Sequence, residues 1–402
     1  MKVSGLDVHK DSIFCAIYDG KVYSEVKEYE SMTDSIRKMG EYLQSHGVIH
    51  VAMESTSIYW IPVWDILEEM GFELLLVNPF LIKQMPGRKS DVKDAQWIAT
   101  LLHKGLLRGS MVPNATITEL RIYTRKYTRL VQRASQILTE MDRIMVTANI
   151  RIGSCVSNLS NKSVISIIDA LIAEKTSPDY LVSLVYGNTA NKKNGKLKAA
   201  LTGNIKDHHR QSLKWAKEQY DLYQKQILEC LSCMEKICGE HYSKEMALLQ
   251  SMPGISKVSA MCIIAETGAD MSVFENSGKI TGWAGLRPKN DQSAGKFKST
   301  SITKGNKYLR VILVQAAWGA SRTKGSYFKE KYHRLALRKS NRKAIVAIAR
   351  KMLVVIWNIL YEKKPYNPAL HPVYDPKKVE RATEYHQKEI ERLSKLLTNK
   401  VA

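Results

Sequence analysis

The sequence predicts an α/β domain at the N-terminus, followed by a long coiled-coil helical linker and a mostly helical C-terminal domain. Up to about residue 80, short apolar segments alternate with amphipathic ones, which is typical of a sheet covered by helices. Beyond Pro113, apolar residues recur every seven positions, which is typical of long helices that pack along a seam. The 402 residues are 44% hydrophobic, which is enough for two or three domains with separate cores.

The first predicted elements are three antiparallel strands. They comprise Lys2–Val8, Ser12–Tyr18 and Lys21–Tyr29. The Asp19-Gly20 pair between the last two favours a two-residue hairpin turn. Hydrophobic periodicity then predicts helices that alternate with strands. These are a helix over Thr33–Ser45, a strand over Ile49–Met53, a helix over Ile58–Met70 and a strand over Phe72–Val77.

A long helix is predicted after Pro113, because two heptad series run through this segment. The first comprises Leu120, Tyr127, Ala134, Met141 and Ala148, and the second comprises Thr124, Val131, Leu138 and Met145. Such a seam either packs on the chain's own helices or forms a dimerisation arm, and we favour the arm. A second long helix, over about Gln211–Cys238, could run back against the first.

The rest of the chain divides by composition into further regions. The segment at about 150–210 is rich in Ser, Asn and Lys and contains short helical stretches. The tail carries a helix that begins near Asp375-Pro376, because Pro is favoured in the first helical turn. We therefore predict four regions, at residues 1–112, 113–244, 245–365 and 366–402.

The formal net charge is +22, and it is unevenly distributed. Residues 1–110 carry 12 Lys/Arg against 15 Asp/Glu, whereas residues 296–364 carry 18 Lys/Arg against Glu330 and Glu362. A basic block attracts a polyanion by releasing the counterions condensed on its phosphates. Nucleic acid is therefore the predicted partner, ahead of a solvated basic face or a membrane surface.

Neither a membrane span nor a signal peptide is predicted, which makes the cytoplasm the expected location. The apolar stretch Ala344–Leu360 is interrupted by Arg350 and Lys351, so it falls short of the roughly 20 apolar residues that a span needs. Met1–Ile13 contains no apolar core segment of the kind that a signal peptide has.

Six cysteines are present, and three of them cluster with a histidine. Cys230, Cys233, Cys238 and His241 have residue types that bind zinc. The paired Cys-x-x-Cys knuckles of a strong zinc site are missing, and the cysteines recur at helical spacing. We therefore favour a helix interface for them.

Four carboxylates in the least basic region are candidates for a metal site. They are Asp7, Glu54, Asp91 and Asp94. Asp7 lies in the first strand, and Glu54 ends a later strand, where a carboxylate emerges at the edge of the sheet. Asp91 and Asp94 are three residues apart on a predicted helix, so both project from one face. Converging carboxylates repel unless a cation compensates, and oxygen ligands suit Mg²⁺ or Mn²⁺.

The motifs around these acids resemble the RuvC-like domain of DEDD-type insertion-sequence transposases, a group that includes the related Piv invertase. The motifs are Gly5-Leu6-Asp7-Val8-His9-Lys10, Met53-Glu54-Ser55-Thr56 and Lys89-Ser90-Asp91-Val92-Lys93-Asp94-Ala95. The resemblance implies an RNase H-like fold. It also implies that Asp7, Glu54, Asp91 and Asp94 are the catalytic acids that bind metal.

The resemblance continues in the C-terminal domain. It is carried by Met252-Pro253-Gly254-Ile255, Gly282-Trp283-Ala284-Gly285-Leu286-Arg287-Pro288, Gln292-Ser293-Ala294-Gly295-Lys296 and Ile302-Thr303-Lys304-Gly305-Asn306, and it ends at Leu309-Arg310. The resemblance implies that Ser293 is the catalytic serine. Family members commonly have Ser-Gly where this chain has Ser-Ala-Gly, which leaves Ser299 and Ser301 as alternatives. The region at about 150–210 also departs from the family's pattern, and we interpret it as an insertion.

Residues near Ser293 are candidates for nucleic-acid contacts. They are Lys296, Lys298, Lys304, Asn306 and Arg310, in a region where cations would help a hydroxyl to attack phosphorus. Gly254 lies in a turn before a helix predicted over about Lys257–Glu266, where free backbone amides can receive a phosphate. A plain interhelical turn is an equal alternative for Gly254.

Together these observations predict a DNA transposase or recombinase that uses a Mg²⁺-bound acidic quartet and forms a transient link between Ser293 and DNA. The resemblance further implies donor and target DNA and a structured non-coding guide RNA as partners, in a prokaryotic nucleoid. A dimer or tetramer is expected, because the acids and Ser293 lie on separate domains. Two alternatives stay open: a junction-resolving metal-dependent nuclease without a covalent intermediate, and a non-catalytic nucleic-acid-binding protein.

Overall fold

A five-stranded mixed sheet forms the centre of the N-terminal part. Its strands are β1 (Val3–Val8), β2 (Ser12–Tyr18), β3 (Lys27–Glu30), β4 (His50–Glu54) and β5 (Glu73–Val77), in the order β3-β2-β1-β4-β5. β2 pairs antiparallel with β1 and β3, whereas β1, β4 and β5 are parallel. The computed structural model describes residues 1–79, 90–186, 188–289, 291–293, 296–299, 301–370 and 376–398.

Helices cover both faces of this sheet. They are α1 (Thr33–Ser45), α2 (Trp60–Glu69) and α3 (Asp91–His103). α1 and α2 share an apolar core with Leu6 and Met53 on one face. Ile98 of α3 packs with Ala52 in a smaller core on the other face. Successive side chains of a strand point to opposite faces, which produces the two cores. The predicted α/β N-terminal domain is confirmed.

The third strand is shorter than the sequence predicts. β3 covers Lys27–Glu30 instead of Lys21–Tyr29, although the chain does turn at Gly20, which has a φ of +104°. Ser24 interrupts regular pairing, because its amide donates to the Ile17 carbonyl and its hydroxyl accepts from the Ile17 amide. The Ser24 hydroxyl thus accepts the hydrogen bond from the Ile17 amide that a backbone carbonyl accepts in a regular strand pair.

Residues Met1–Pro113 and Asn114–Ala402 are separate compact units. The first part of the second unit consists of α4 (Ala115–Thr147), α5 (Lys162–Ile172), α6 (Pro178–Ser183), α7 (Asn188–Leu201) and α8 (Asp207–His241). α4 and α8 run antiparallel, since Tyr123 lies beside Cys233 near one end and Ala148 lies beside Gly203 near the other. The second long helix therefore runs back along the first, as predicted.

The heptad seam of α4 is filled within the chain. Ala134 and Met141 of the first predicted series are buried in a core shared with the neighbouring helices. Thr124 and Met145 of the second series are also buried, but its middle is displaced by one residue, because Leu130 and Ile137 are buried while Val131 is exposed. α4 packs against several helices, so its buried stripe is wider than a two-stranded seam. The seam therefore packs on the chain's own helices, which is the first of the two alternatives. Its burial does not require a second copy of the chain.

The segment that we interpreted as an insertion is part of this helical core. Ile167, Leu171, Leu181 and Leu197 are fully buried in the same cluster as α4 and α8. The amide of Arg151, just after α4, donates to the carbonyl of Ala200 in α7 at 2.7 Å. Residues 162–201 therefore close the end of the long helix pair where α4 finishes and α8 begins.

The remainder of the second unit is mostly helical and includes a hairpin. Its elements are α9 (Ser243–Gln250), α10 (Lys257–Thr267), α11 (Ser277–Trp283), β6 (Asp291–Ser293), β7 (Lys296–Ser299), α12 (Lys307–Ala320), α13 (Tyr327–Ala336), α14 (Asn341–Glu362) and α15 (Pro376–Thr398). By length and composition α14 could cross a membrane, but 56% of its most apolar window is buried inside the protein. The division into four regions stays a prediction.

Candidate active site

Asp7 is a buried carboxylate near the end of the central strand β1. Only 6% of its surface is exposed. Its neighbours Leu6 and Val8 point into the core under α1 and α2, so Asp7 points to the opposite face, toward α3. The alternating pattern of the strand therefore fixes the direction of this carboxylate.

Glu54 is brought beside Asp7 by the parallel pairing of β1 and β4. Leu6 pairs with Met53, so the next residues along the two strands, Asp7 and Glu54, are neighbours on one face. Glu54 is partly buried, and its Oε1 accepts a hydrogen bond from the Thr56 hydroxyl at 2.9 Å. The register of the sheet thus places two of the four predicted acids side by side.

Gly5 allows α3 to approach the sheet closely. A Cβ atom at Gly5 would lie 2.3 Å from the carbonyl oxygen of Ala95 and 2.4 Å from the nitrogen of Ala99. Any side chain there would push the helix backbone away, so the absence of a side chain sets the distance between β1 and α3. This contact holds the first turn of α3 near the end of β1.

Asp91 and Asp94 both lie in that first turn. The turn is capped by Ser90, whose hydroxyl accepts a hydrogen bond from the Lys93 amide at 3.4 Å. Residues three apart are neighbours on a helix surface, so the two carboxylates share a face. Asp91 is exposed and Asp94 is partly buried.

The four carboxylates interact electrostatically around Asp7. Burial is the main cause that raises the pKa of Asp7 to about 6; His9 opposes the rise, and the charges of Asp94, Glu54 and Asp91 add to it. The structure therefore places Glu54, Asp91 and Asp94 within electrostatic range of Asp7, and of these acids Asp91 offers a ligand atom within 4.8 Å of Asp7. Negative charges gathered at one point disfavour ionisation unless a cation is present.

This set of donor atoms fits a hard divalent cation. Carboxylate oxygens are the ligands that Mg²⁺ and Mn²⁺ prefer, and Asp7 is buried without a cationic Lys or Arg partner among the described residues. Asp7, His9 and Asp91 each offer a ligand atom, and these atoms lie within 4.8 Å of one another. Within the described ranges, no other group of three such side chains meets this condition.

His9 is a residue of this site to which the sequence analysis gives no role. Its Nε2 lies 3.3 Å from Asp7 Oδ2 and 3.6 Å from Asp91 Oδ1. The signal in the sequence is the Asp-x-His spacing at the end of a strand, since alternate side chains point to the same face.

The hairpin β6–β7 carries the predicted nucleophile. Ser293 is the last residue of β6, and it pairs with Lys296 of β7. The side chains of Ser293, Lys296 and Lys298 lie outside what the structure describes. The alternatives Ser299 and Ser301 form a hydrogen bond between their hydroxyls at 2.8 Å.

Two glycines fix the base of this hairpin. A Cβ atom at Gly305 would lie 2.3 Å from the nitrogen of Gly285 and 2.5 Å from the carbonyl oxygen of Trp283. Gly285 has a φ of +69°, a conformation that side chains disfavour. The glycine-containing motifs before and after the hairpin therefore contact each other through their backbones at its base.

The side chain of Asn306 is occupied within the protein. Its Oδ1 accepts hydrogen bonds from the amides of Tyr308 and Leu309, which caps α12, and its Nδ2 donates to Glu266 at 2.6 Å. The structure thus gives Asn306 a structural role, whereas its predicted nucleic-acid contact stays a prediction. Lys304 is exposed and Arg310 is partly buried.

Packing likewise accounts for Gly254. It has a φ of +86°, and a Cβ atom there would lie 2.4 Å from the carbonyl oxygen of Ala316 and 2.6 Å from the nitrogen of Ala320. The turn before α10 is pressed against the backbone of α12. The interhelical-turn alternative therefore explains the glycine, whereas its predicted phosphate contact stays a prediction.

Glu266 is a second residue that the sequence analysis does not single out. Only 1% of it is exposed, at the end of α10. Arg125 of α4 donates to its two carboxylate oxygens at 2.8 and 2.9 Å. Arg121, one helical turn earlier, donates to the carbonyl oxygens of Ala265 and Glu266. This network joins the long helix α4 to the residue that caps α12.

Exposed basic residues cluster around the junction between α13 and α14. We call this surface the basic corner, and it consists of Arg334, Arg338, Lys339, Arg342 and Lys343, all of them exposed. No acidic side chain in the described residues forms an ion pair with any of them. A surface of unpaired cations is the electrostatic feature that phosphate backbones recognise.

The cysteine cluster lies in a helix interface. Cys230 and Cys238 are buried along α8, and Cys233 is partly buried. Burial raises the pKa of Cys238 to about 11, and among the described residues these cysteines and His241 do not form a group of three ligand atoms close enough to share an ion. This agrees with the interpretation as packing residues.

Two family models match the sequence. A DEDD transposase model for IS110-type elements matches residues 4–150. The model of the transposase IS116/IS110/IS902 family matches residues 246–333. Together they cover the four acids, the start of the long helix pair and the hairpin that carries Ser293.

Individual proteins are also similar. A Sinorhizobium fredii protein that carries a transposase name, y4pF/y4sB, is 23% identical over 353 residues, which span 83% of this chain and 79% of that protein. The transposase for insertion sequence element IS1111A of Coxiella burnetii is 31% identical over 122 residues, 29% of this chain and 33% of its own. The pilin gene-inverting protein of Moraxella bovis is 28% identical over 137 residues, 33% of this chain and 42% of its own.

Among solved structures, RuvC of T. thermophilus in complex with a Holliday junction substrate is 13% identical, with a TM-score of 0.22 over 27% of this chain and 100% of that one. The two family models match successive parts of the chain in the order that the motifs predict. The chain belongs to the IS116/IS110/IS902 family of transposases.

Proposed function

We propose that this transposase breaks and rejoins DNA with the acidic quartet as a divalent-metal site and Ser293 as the nucleophile. The observation that carries the proposal is the convergence of three further carboxylates on the buried Asp7. Asp7, Glu54, Asp91 and Asp94 would hold Mg²⁺ or Mn²⁺. The bound ion supplies Lewis-acid stabilisation of the charge that develops on phosphate oxygens during strand transfer.

In this proposal the hydroxyl of Ser293 attacks a DNA phosphate. The bond between Oγ and phosphorus forms, the phosphodiester bond to the departing strand breaks, and the departing sugar oxygen takes up a proton. A hydroxyl of the incoming strand then attacks the same phosphorus, which joins the new strand and releases the serine. The covalent link conserves the energy of the phosphodiester bond, so rejoining needs no added energy source.

A structured non-coding RNA would supply sequence specificity by pairing with donor and target DNA. The protein would then contact backbones, a division of roles known from other guided systems. The exposed basic corner and the exposed Lys304 support such contacts. The acids and Ser293 belong to different units, so a dimer or tetramer that combines the acids of one chain with Ser293 of another fits this proposal.

The test is a search for the covalent intermediate. Purified protein, guide RNA transcribed from the DNA that flanks the gene, target DNA and Mg²⁺ are mixed, and the reaction is stopped in detergent. We expect a DNA–protein adduct with the wild type and with Ser299→Ala and Ser301→Ala, and none with Ser293→Ala. An adduct that persists in Ser293→Ala would remove this serine as the nucleophile.

A junction-resolving nuclease that uses metal-activated water is the second candidate. The acidic quartet favours it, because a metal site made of these four acids would not need Ser293. Nicked DNA with free 5′-phosphate and 3′-hydroxyl ends, and no adduct, would support this candidate. If Asp7→Asn combined with Asp91→Asn leaves every DNA-processing activity unchanged, the protein is instead a nucleic-acid-binding protein without catalysis.

A further inference from the structure

We infer that His9 is a nitrogen ligand of the ion held by Asp7 and Asp91, and that it gives this site a preference for late transition-metal ions over Mg²⁺. The inference rests on the metal site of the proposed function and extends it to a residue outside the acidic quartet. It concerns which ion the protein binds best.

The position of the imidazole nitrogen carries the inference. Nε2 of His9 is almost inaccessible to solvent and makes no hydrogen bond to any described residue. The side chain as a whole is 42% exposed. A ring that could turn its nitrogen to water instead points it at two carboxylates. A buried nitrogen without a hydrogen-bond partner is costly, and coordination to a cation would satisfy it.

The distances between the donor atoms match those around one ion. Nε2 lies 3.3 Å from Asp7 Oδ2 and 3.6 Å from Asp91 Oδ1. Ligand atoms at about 2.1 Å from an octahedral ion are about 3 Å apart when adjacent and about 4 Å apart when opposite. Both distances from Nε2 lie between these two spacings, and all three donor atoms lie within 4.8 Å of one another, so small shifts bring them to one ion.

The surrounding residues hold His9 in this orientation. Its amide donates to the Ser12 carbonyl at 2.9 Å, and its carbonyl accepts from the Ser31 hydroxyl at 3.4 Å. The ring packs edge-on against Phe14, with 6.1 Å between centroids. Both the backbone and the ring are thus placed by the turn between β1 and β2, before any ion binds.

Ligand chemistry then determines the choice of ion. Carboxylate oxygens bind Mg²⁺ and Mn²⁺ well, whereas an imidazole nitrogen adds affinity mainly for Co²⁺, Ni²⁺ and Zn²⁺. A site of carboxylates with one imidazole should bind Co²⁺ more tightly than Mg²⁺ by a margin that depends on His9. The competing interpretation is that a protonated His9 only neutralises the two carboxylates, in which case removing it would favour cation binding.

The experiment is a Co²⁺ titration of metal-stripped full-length protein, followed by visible absorption, with Mg²⁺ as competitor. For His9→Ala we expect Co²⁺ binding to weaken by about 10-fold or more and the absorption bands to shift. Mg²⁺ affinity should change by less than about threefold. His9→Asp, which substitutes an oxygen ligand, should keep Mg²⁺ binding and lose the preference for Co²⁺.

His46→Ala is the matched control. This imidazole lies between α1 and β4, before the start of β4, whereas Glu54 lies at the other end of that strand. Thermal unfolding in chelator checks that each variant is folded. Unchanged or tighter Co²⁺ binding in His9→Ala, together with lost binding in Asp7→Asn, would overturn the inference and leave the metal site standing. Unchanged binding in Asp7→Asn would overturn the metal site itself.

Discussion

Arg125 donates two hydrogen bonds to the carboxylate of Glu266, at 2.8 and 2.9 Å, and Glu266 is 1% exposed. Burial disfavours the charge of Arg125, but the hydrogen bonds and charge of Glu266 outweigh burial and raise the pKa of Arg125 above its ordinary value. Removing the charge of Glu266 leaves the guanidinium of Arg125, which is partly buried, without its anionic partner. We expect Glu266→Gln to lower the free energy of unfolding by about 3 kcal/mol.

Denaturant unfolding of the full-length protein measures this change. Glu275→Gln is the control, since Glu275 pairs with Lys279 on the surface, where both side chains are largely exposed. We expect Glu275→Gln to lower the free energy of unfolding by less than about 0.5 kcal/mol. Equal losses from the two substitutions would show that the Glu266 network adds nothing beyond an ordinary ion pair.

Asn306 and Lys304 should have separable effects on stability and DNA binding. Asn306→Ala removes the cap of α12 and the bond to Glu266, so we expect a loss of about 1–2 kcal/mol with an unchanged salt dependence of DNA binding. Lys304→Ala should keep stability and reduce the slope of log K against log salt by about 0.9, the effect of one lost phosphate contact. A reduced slope of log K against log salt in Asn306→Ala would support the nucleic-acid contact that the sequence predicts.

Gly5→Ala should disturb the metal site without changing any ligand. The added Cβ would overlap the backbone of Ala95 and Ala99, so α3 must move and carry Asp91 and Asp94 with it. We expect a loss of about 1–3 kcal/mol in unfolding free energy and weaker Mn²⁺ binding by isothermal titration calorimetry. Gly239→Ala is the control, because Gly239 lies in α8 with nothing within 4 Å of the added atom. It should be neutral or stabilising.

The metal-free protein should become less stable as the pH rises from about 4 to about 6. The pKa of Asp7 is raised from 3.8 to about 6 in the folded state, so between these values the folded chain binds more protons than the unfolded chain. The stability that comes from protonated Asp7 is fully present below pH 4 and is lost as the pH passes 6. The full effect is about 3 kcal/mol. Unfolding in chelator measures it, and Asp7→Asn should remove this pH dependence while the exposed Asp11→Asn should not.

Neutralising the basic corner should weaken DNA binding in a salt-dependent way. For Arg338→Gln with Arg342→Gln, we expect the slope of log K against log salt to fall by about 1.8, because two phosphate contacts are lost. Lys214→Gln with Lys225→Gln removes the same net charge from exposed positions of α8 and should change the slope less. Equal effects would show that net charge, rather than this surface, governs binding.

Much of the fold follows from the sequence, because periodicity reports which face of an element is buried. The helix Thr33–Ser45 ends where the pattern predicts, and the strand His50–Glu54 lies within one residue of its prediction. The predictions fail where contacts with other helices determine which residues are buried. The buried stripe of α4 moves from Val131 to Leu130 because several helices pack on it, and periodicity alone does not show how many partners a helix has.

The site is predictable where the chemistry is local and escapes prediction where partners come from distant parts of the chain. The acids are visible from their motifs, and the sheet register and the Gly5 contact bring them together. The sequence gives no role to Glu266, because its partners Arg125 and Asn306 are 141 and 40 residues away. For the same reason the sequence does not show that Asn306 caps α12 and binds Glu266.

The start of α3 lets the protein assemble an anionic site before any ion binds. The unpaired amides at a helix N-terminus carry a partial positive charge, and each acid in the first turn stabilises the helix by about 0.3–1 kcal/mol. Asp91 and Asp94 therefore favour the helix that carries them, even as they repel Asp7 across the gap to β1. The macrodipole partly offsets that repulsion, so the chain can fold first and recruit its metal afterwards.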